Sequence, residues 1–451
     1  MGPAGDEPDK MSEDNSLASD DKPPAGASAN LIDVILLTGG KPMKLRLVEA
    51  AALKRPPVLD KCHRFTRPAR MAGAGLYPYF HALMSAQEPE VICQGRQMIL
   101  LCSNNYLGLS THPDVVHAAN VATRHYGTGC SGSRFLNGTL DLHEELESRL
   151  ANFLGTEAAV IFPTGYQANL GIVSALAGRD DLIVLDKLDH ASIYDGSRLS
   201  VGGLQRFRHN DVEDLERVLE TNLDTSALVI VDGVYSMHGD VANLPGIVDV
   251  CQHYNAALVV DDAHALGVLG AGGRGSAEHF QLEHQVDVFA GTFSKSLASI
   301  GGYAAGAADV IQYLKHHARP LMFSASLPPA SVAAALAALQ ILTREPQRRQ
   351  RLWDNARYLR EGLEALGFDT GPSCTPIVPV ILDSEEKALQ MWRRLFERGI
   401  FTSPVFHPAV PQGTALIRTS CMATHTTAQL ERVLEAFERS GRELDLVRDY
   451  R

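Results

Sequence analysis

Val259-Val260-Asp261-Asp262-Ala263-His264 and, further on, the run Val286–Ala290 leading into Gly291-Thr292-Phe293-Ser294-Lys295-Ser296 are the stretches that decide the fold. Each is a short apolar run that stops at a charged or hydroxylated residue. The same pattern stands upstream as MILLC (98–102), AAVIF (158–162), LIVLD (182–186) and LVIVD (228–232). Between these runs, amphipathic spacing predicts helices over 115–126, 167–176, 191–199 and 248–254. Strands that are apolar throughout need cover on both faces, so the alternation predicts a mostly parallel central sheet clad in helices, an α/β fold.

Working outward, Pro320–Pro329 precedes an alanine-rich helix predicted over 330–342. The remainder reads as helix, strand (IVPVIL, 377–382), helix (387–398), two strands ending in ALIRTS (415–420) and a helix over 427–439. This predicts a large α/β domain over 98–344 and a smaller C-terminal α+β domain over 345–451. Residues 31–97 read as an N-terminal arm, with one or two helices expected over 31–70. Residues 1–30 carry seven acids against two lysines among Pro, Ser and Gly, a composition too poor in apolar surface to offset ordering entropy, so a disordered acidic tail is expected.

The 451 residues are 45% hydrophobic and 21% charged, ordinary for a globular protein. With 41 basic and 53 acidic residues the formal net charge is −12, which argues against a nucleic-acid binder working through a basic surface. Seven dispersed cysteines without a C-x-x-C pair indicate neither a disulfide framework nor a zinc site, and fit a reducing cytoplasm. No apolar stretch reaches the ~18 residues of a membrane span, and the acidic start is unlike a secretory signal.

Several strand ends carry candidate chemistry. A lysine at the mouth of a buried strand, such as Lys295, is placed to lose hydration, which lowers an amine pKa and makes a Schiff-base nucleophile. Thr292, Ser294 and Ser296 offer hydroxyls to a phosphate; a surface lysine in a polar turn is the bland alternative. Asp261 sits where ligands bind in open α/β sheets and suits a protonated heterocyclic nitrogen; a solvated turn, or a metal site with Asp262 and His264, are the other readings. Thr164-Gly165-Tyr166 opens a predicted helix whose free N–H groups suit phosphate. His190 begins another helix, as a cap or as a group facing a flat cofactor. Arg418 is a candidate carboxylate clamp or a plain salt bridge. No Walker A loop is present, and the G-x-G-x-x-G string at 270–275 starts too far past its strand to bind a dinucleotide. Together, a strand-end acid, a later lysine, a phosphate-type helix start and a distal arginine describe pyridoxal 5'-phosphate chemistry.

The chain resembles the α-oxoamine synthases, fold-type I pyridoxal-phosphate enzymes that condense an amino acid with an acyl thioester and release CO₂. The resemblance spans about residues 60–440 and rests on SNNYLGLSTHP (103–113), YGTGCSGSRFLNGTLDLHEELE (126–147), PTGYQANLG (163–171), LDHASIYDGSRLS (188–200), VDGVYSMHGDVANLP (231–245), VVDDAHALGVLGAGGRG (259–275), GTFSKSLASIGGY (291–303) and LIRTSCMATHT (416–426). GLYPYFHAL (75–83), RFRHNDVEDLE (206–216), LMFSASLPPA (321–330) and VFHPAVPQGTALIRTSCMATHT (405–426) are similar to the branch that joins L-serine to a long-chain acyl-CoA, giving 3-ketodihydrosphingosine.

The resemblance implies that Lys295 forms the Schiff base and removes the Cα proton, that Asp261 pairs with the pyridine nitrogen and that His190 stacks on the ring. It places His264 and Ser236 near the phenolic oxygen and Gly165, Tyr166, Thr292 and Ser294 around the phosphate, with Ser324 and Ala325 supplied by a neighbouring subunit of a homodimer. Asn104 and Arg418 match positions holding the amino-acid carboxylate. No metal is expected. Asp262 stands where many relatives have Glu. Alternatives within this reading are alanine or glycine as the amino acid, another acyl-CoA or a carrier-protein thioester, and a pyridoxal-phosphate aminotransferase. An apolar product is compatible with loose contact of residues 31–55 with a membrane surface.

Overall fold

A computed structural model describes residues 31–38, 41–48, 56–407 and 409–447, the first two segments as backbone only. The expected acidic tail therefore lies outside the described residues. The chain divides into two compact units that meet in sequence at Thr66 and Arg67.

In the first unit, β1 (Leu31–Thr38) and β2 (Lys41–Val48) pair antiparallel from Leu31 opposite Val48 to Thr38 opposite Lys41. Of the segment 31–70, in which one or two helices are expected, the described residues 31–38 and 41–48 are strands, and helix is confined to its end, at Pro57–Leu59, Asp60–Arg64 and, in the second unit, Arg67–Gly73. The physical reason is visible in the sequence. Met43, Leu45 and Leu47 alternate with Lys44 and Arg46, a period of two, and Gly39-Gly40 is a hairpin turn signal.

The second unit contains β3 (Glu90–Cys93), β4 (Arg96–Leu100), β5 (Ala158–Phe162), β6 (Asp181–Asp186), β7 (Gly203–Phe207), β8 (Ser226–Asp232), β9 (Ala257–Asp261), β10 (Val288–Thr292) and β11 (Gly302–Gly306). Towards the C-terminus follow β12 (Ile377–Leu382), β13 (Ile400–Phe401), β14 (Ser403–Phe406) and β15 (Ala415–Ser420). The main sheet runs β5-β11-β10-β9-β8-β6-β7, parallel except for β11, which is antiparallel to both neighbours. Alternate residues feed two apolar cores. Val229, Val231, Leu258 and Val260 pack on one face, while Leu228, Ile230, Val259 and Val288 pack on the other. Burial on both sides is what the uninterrupted apolar runs require.

MILLC is not part of that sheet. It forms most of β4, which pairs antiparallel with β3 and parallel with β13, in a separate three-stranded sheet. β12, β15 and β14 form another antiparallel sheet, and this one carries Arg418 in its central strand.

β11, Gly-Tyr-Ala-Ala-Gly, is absent from the sequence-predicted strands, because small residues carry little strand signal. Its composition answers a packing need. A Cβ at Gly302 would stand 2.5 Å from Gly165 Cα and 2.6 Å from Thr164 O, so only glycine lets the strand pass against the turn that opens the helix Gly165–Leu176. Gly302→Val is expected to cost about 1–3 kcal/mol through overpacking. Thermal unfolding should show a midpoint several degrees lower, and an unchanged midpoint would refute this close approach.

Candidate active site

The parallel strands end on one edge of the main sheet, and the segments just beyond those ends supply the site. After β5, Thr164 caps the helix Gly165–Leu176, its side chain accepting from Gln167 N at 3.1 Å, which leaves the N–H groups of the first turn facing the strand ends. After β6, His190 caps the helix Ala191–Leu199. β8 ends in Asp232, β9 in Asp261 and β10 in Thr292, three residues before Lys295. These ends enclose a cavity of about 300 Å³ lined by Gly165, Tyr166, His190, Asp261, His264, Thr292, Ser294 and Lys295.

Charge in this cavity is balanced between few groups. Burial pulls the Lys295 amine down, Asp261 and Asp232 push it up and Arg418 pulls it down again, leaving it at about 8 instead of 10.5. Asp261 is 5% exposed. Its Oδ2 accepts from Asn169 Nδ2 at 2.6 Å and its Oδ1 from Ala263 N at 2.9 Å. Asn169 also donates to Ser192 Oγ (2.9 Å), and Ser192 Oγ meets His190 Nδ1 at 2.7 Å. One chain of hydrogen bonds thus runs from the acid to the histidine. Burial lowers the His190 pKa, so this ring is predominantly neutral at pH 7.

His264 is buried, and burial followed by the charges of Lys295 and Arg418 holds it well below the usual histidine range. Its Nδ1 lies 2.7 Å from Tyr106 OH. Asp262 turns away from Asp261, accepting from Ser276 Oγ (2.6 Å) and Ser276 N (3.0 Å). The metal reading of this Asp-Asp pair has no support from that divergence, and no group of three His, Cys, Asp or Glu side chains among the described residues is placed to hold a metal ion.

At the phosphate-type end, Thr292 Oγ1 is 2.9 Å from Ser294 Oγ and donates to Gly301 O at 2.9 Å. A Cβ at Gly165 would meet Thr292 Cβ at 2.7 Å, so this position requires a glycine. Tyr166 is half exposed and its hydroxyl donates to Asp195 Oδ2 at 2.5 Å.

The other predicted residues lie outside this lining. Arg418, buried, donates from Nε to Ser236 O (2.7 Å) and from Nη2 to Asn104 Oδ1 (3.0 Å), so Asn104 and Arg418 do meet. Ser236 lines a second cavity, which His190 also borders, and its backbone carbonyl accepts from Arg418, while Tyr106 is the hydrogen-bond partner of His264. Ser324 Oγ accepts from Gln167 Nε2 of its own chain at 2.9 Å, and Ala325 is exposed. The glycine string 270–275 wraps a carboxylate, with Gly272 N and Arg274 N donating to Glu278, as a loop.

Asn169, Ser192, Tyr106 and Asp232 escape the reading of the sequence. Asn169 has a signal, standing one turn after Gly165 on the face of the helix that meets the strand ends; the others depend on tertiary placement. The residues present fit a phosphorylated pyridine aldehyde. They offer a depressed amine, a buried acid, hydroxyls beside a helix N-terminus, and a glycine cradle that a Cβ would fill.

Fold and cavity define a pyridoxal-phosphate-type transferase, and the comparisons agree. The family model described as Aminotransferase class I and II matches residues 96–437, and the chain belongs to that family. It is 47% identical to a serine palmitoyltransferase of Sphingobacterium spiritivorum over 86% of this chain and 97% of that one. It is 46% identical to an 8-amino-7-oxononanoate synthase of Thermoanaerobacter pseudethanolicus over 83% of this chain and 95% of that one. Among solved structures, a serine palmitoyltransferase from S. paucimobilis with a bound PLP–myriocin aldimine superposes with a TM-score of 0.85 at 39% identity, covering 87% of this chain and 100% of that one.

Only the neutral Lys295 amine attacks an aldehyde. Capture of pyridoxal phosphate by the apoprotein, followed by absorbance, is therefore expected to accelerate as pH rises through about 8 and then to level. An inflexion near 10.5, the ordinary lysine value, would contradict the balance described.

Proposed function

We propose that the chain is a pyridoxal-phosphate-dependent acyltransferase that condenses L-serine with a long-chain acyl-CoA, palmitoyl-CoA in the first instance. The products are 3-ketodihydrosphingosine, coenzyme A and CO₂, the first step of sphingolipid biosynthesis. The observation that carries the reading is the Lys295 amine, depressed to about 8 between Asp261, Asp232 and Arg418. The likeness to solved serine palmitoyltransferases favours serine, because an 8-amino-7-oxononanoate synthase from Francisella tularensis superposes less well, with a TM-score of 0.67 at 27% identity.

Bound pyridoxal phosphate supplies an electron sink for charge developing on the amino acid's Cα. Asp261, kept in place by Asn169 and Ala263 N, provides the anionic partner for a protonated ring nitrogen. Thr292, Ser294, Gly165 and Tyr166 hold the phosphate, His190 is the group for the ring face and His264 serves the phenolic side. Arg418 donates from Nε and Nη2 to fixed acceptors and also meets the Tyr106 hydroxyl, which sets the plane of its guanidinium for a carboxylate. Lys295 anchors the cofactor and then, as an amine, takes the Cα proton. The Cα–carbonyl bond forms as the thioester C–S bond breaks, coenzyme A leaves as the thiol and the β-keto acid loses CO₂.

The assembly proposed is a homodimer in which Ser324 and Ala325 reach the neighbouring site; fully active monomers in light scattering would refute it. Among the described residues no helix is long and apolar enough to cross a membrane. A peripheral membrane contact through residues 31–55 is proposed, in a protein working in the cytoplasm; failure of the full chain to float with anionic vesicles would refute that contact.

Lys295→Ala is expected to abolish turnover. Arg418→Ala is expected to raise the serine KM at least tenfold while cofactor content stays near the parent's, and an unchanged KM would remove its role. The deciding experiment gives the holoenzyme equimolar serine, alanine and glycine with a ladder of acyl-CoA lengths and reads product mass and free thiol. A long-chain serine-derived ketone is expected. A short-chain alanine product would move the chain to the 8-amino-7-oxononanoate side, and keto acid without thiol would make it an aminotransferase.

A further inference from the structure

The loop Gly233–Ala242, which comes after β8, meets Arg418 through the Ser236 carbonyl, which accepts from Arg418 Nε at 2.7 Å. The loop closes on itself, with Tyr235 N donating to Asp240 O (3.0 Å), Gly239 N to Tyr235 O (2.9 Å), and a bridge between Val234 and Val241. Backbone and amide bonds hold its stem and tip, from Gly233 N to Asp261 O, from Thr375 Oγ1 to Gly239 O and from Asn210 Nδ2 to Val241 O, and a cluster of titratable side chains that the chemistry above does not use ties its middle to the end of β6.

Asp186 ends β6 fully buried, and its carboxylate accepts four hydrogen bonds. Oδ1 takes His209 Nδ1 (3.0 Å) and Leu188 N (2.8 Å); Oδ2 takes Asn210 N (2.7 Å) and Tyr235 OH (2.9 Å). The other nitrogen of His209, Nε2, is 2.8 Å from Asp240 Oδ2. Asp240 is itself buried, and its Oδ1 has no hydrogen-bond partner among the described residues. A histidine with a carboxylate on each ring nitrogen donates to both only as imidazolium. Burial lowers the His209 pKa, but the bonds to Asp186 and Asp240 outweigh it and bring it to about 9. The groups facing it are Asp186 from the end of β6 and Asp240, His238 and Tyr235 from the loop. Asp189 and Asp232 stand beyond Tyr235, both raised well above the carboxylate range by burial and by neighbouring carboxylates.

We propose that His209 is a positioning residue for the amino-acid carboxylate. By donating from both ring nitrogens to Asp186 and Asp240 it fixes the Gly233–Ala242 loop to the end of β6, and through the Ser236 carbonyl it sets the plane of Arg418. This deepens the function proposed above and rests on it. When the ring loses a proton, one nitrogen turns a lone pair towards a carboxylate and one of its two bonds is lost; the Tyr235–Asp186 bond stays, and the Asp240 side of the loop slackens. The lysine and phosphate groups, held by β5, β9 and β10, keep their places.

The test measures serine dissociation constants from the absorbance change of the cofactor-loaded enzyme between pH 7 and 10. The parent is compared with His209→Gln, Asp240→Asn and Arg418→Ala. His209→Gln is expected to weaken serine about tenfold at pH 7.5 with bound cofactor per chain unchanged. The variant-to-parent ratio should fall towards one by pH 10, because the parent has then lost the same proton; titration of serine's own amine is common to both and cancels. Asp240→Asn cuts the other end of the bridge, should show the same trend, and stands in if His209→Gln does not fold. A ratio of one at pH 7.5, a ratio that ignores pH, or a parallel loss of cofactor overturns the proposal. If Arg418→Ala weakens serine and His209→Gln does not, this proposal alone falls; if Arg418→Ala binds serine as the parent does, the carboxylate site falls with it.

Discussion

An amine held close to neutrality inside a cavity of opposed charges is the interaction on which the rest of this structure depends. Lys295 loses hydration by burial, and Asp261 and Asp232 restore part of the stability of its charged form while Arg418 removes some of it. Each of these groups comes from a different part of the chain, two from the ends of parallel strands and one from the central strand of a small antiparallel sheet. The balance therefore exists only when both sheets are in place. A parallel sheet is suited to this, since every crossover returns the chain to the same edge and so gathers strand ends there.

That gathering is tight enough to dictate composition. Gly165 and Gly302 admit no Cβ because the Thr292 side chain closes on the helix start and β11 passes within backbone contact of it. The hydroxyl groups and free N–H groups of the phosphate-type corner are packed by the same approach. Beneath them the acid–amide–serine–histidine chain, Asp261 to Asn169 to Ser192 to His190, links three strand ends through side chains alone. Arg418 is oriented from the opposite side, by the Ser236 carbonyl, the Asn104 amide oxygen and the Tyr106 hydroxyl. The hydrogen bonds that hold Asp261 and those that hold Arg418 thus come from different elements, although the charge of Arg418 still bears on Lys295.

Much of this is legible in the sequence, for physical reasons that also mark where legibility ends. Apolar runs closing on Asp261, Asp232 and Thr292 reveal buried parallel strands, because only strands covered on both faces can be apolar throughout. MILLC has the same look and lies in another sheet, since an apolar run reports burial and not its partner strand. β11 is invisible because glycine and alanine stand there for closeness. The hairpin of β1 and β2 is readable in the alternation of its second strand, although the apolar and basic composition of the segment suggests helix. Lys295, Asp261, His190 and His264 stand in motif strings and do line one cavity. Asn169 and Tyr106 enter only through hydrogen bonds to partners 92 and 158 residues away, which no local pattern encodes. The bond from Arg418 to the Ser236 carbonyl is likewise a tertiary contact that no local pattern encodes.

Under the proposed function one buried amine, Lys295, carries the cofactor. The direct measurement is to load the protein with pyridoxal phosphate, reduce it with borohydride, digest it and locate the pyridoxylated residue by mass spectrometry. The account predicts a single modified peptide bearing the label on Lys295. Label on any other lysine with Lys295 unmodified, or no label on protein that holds the cofactor, would contradict it.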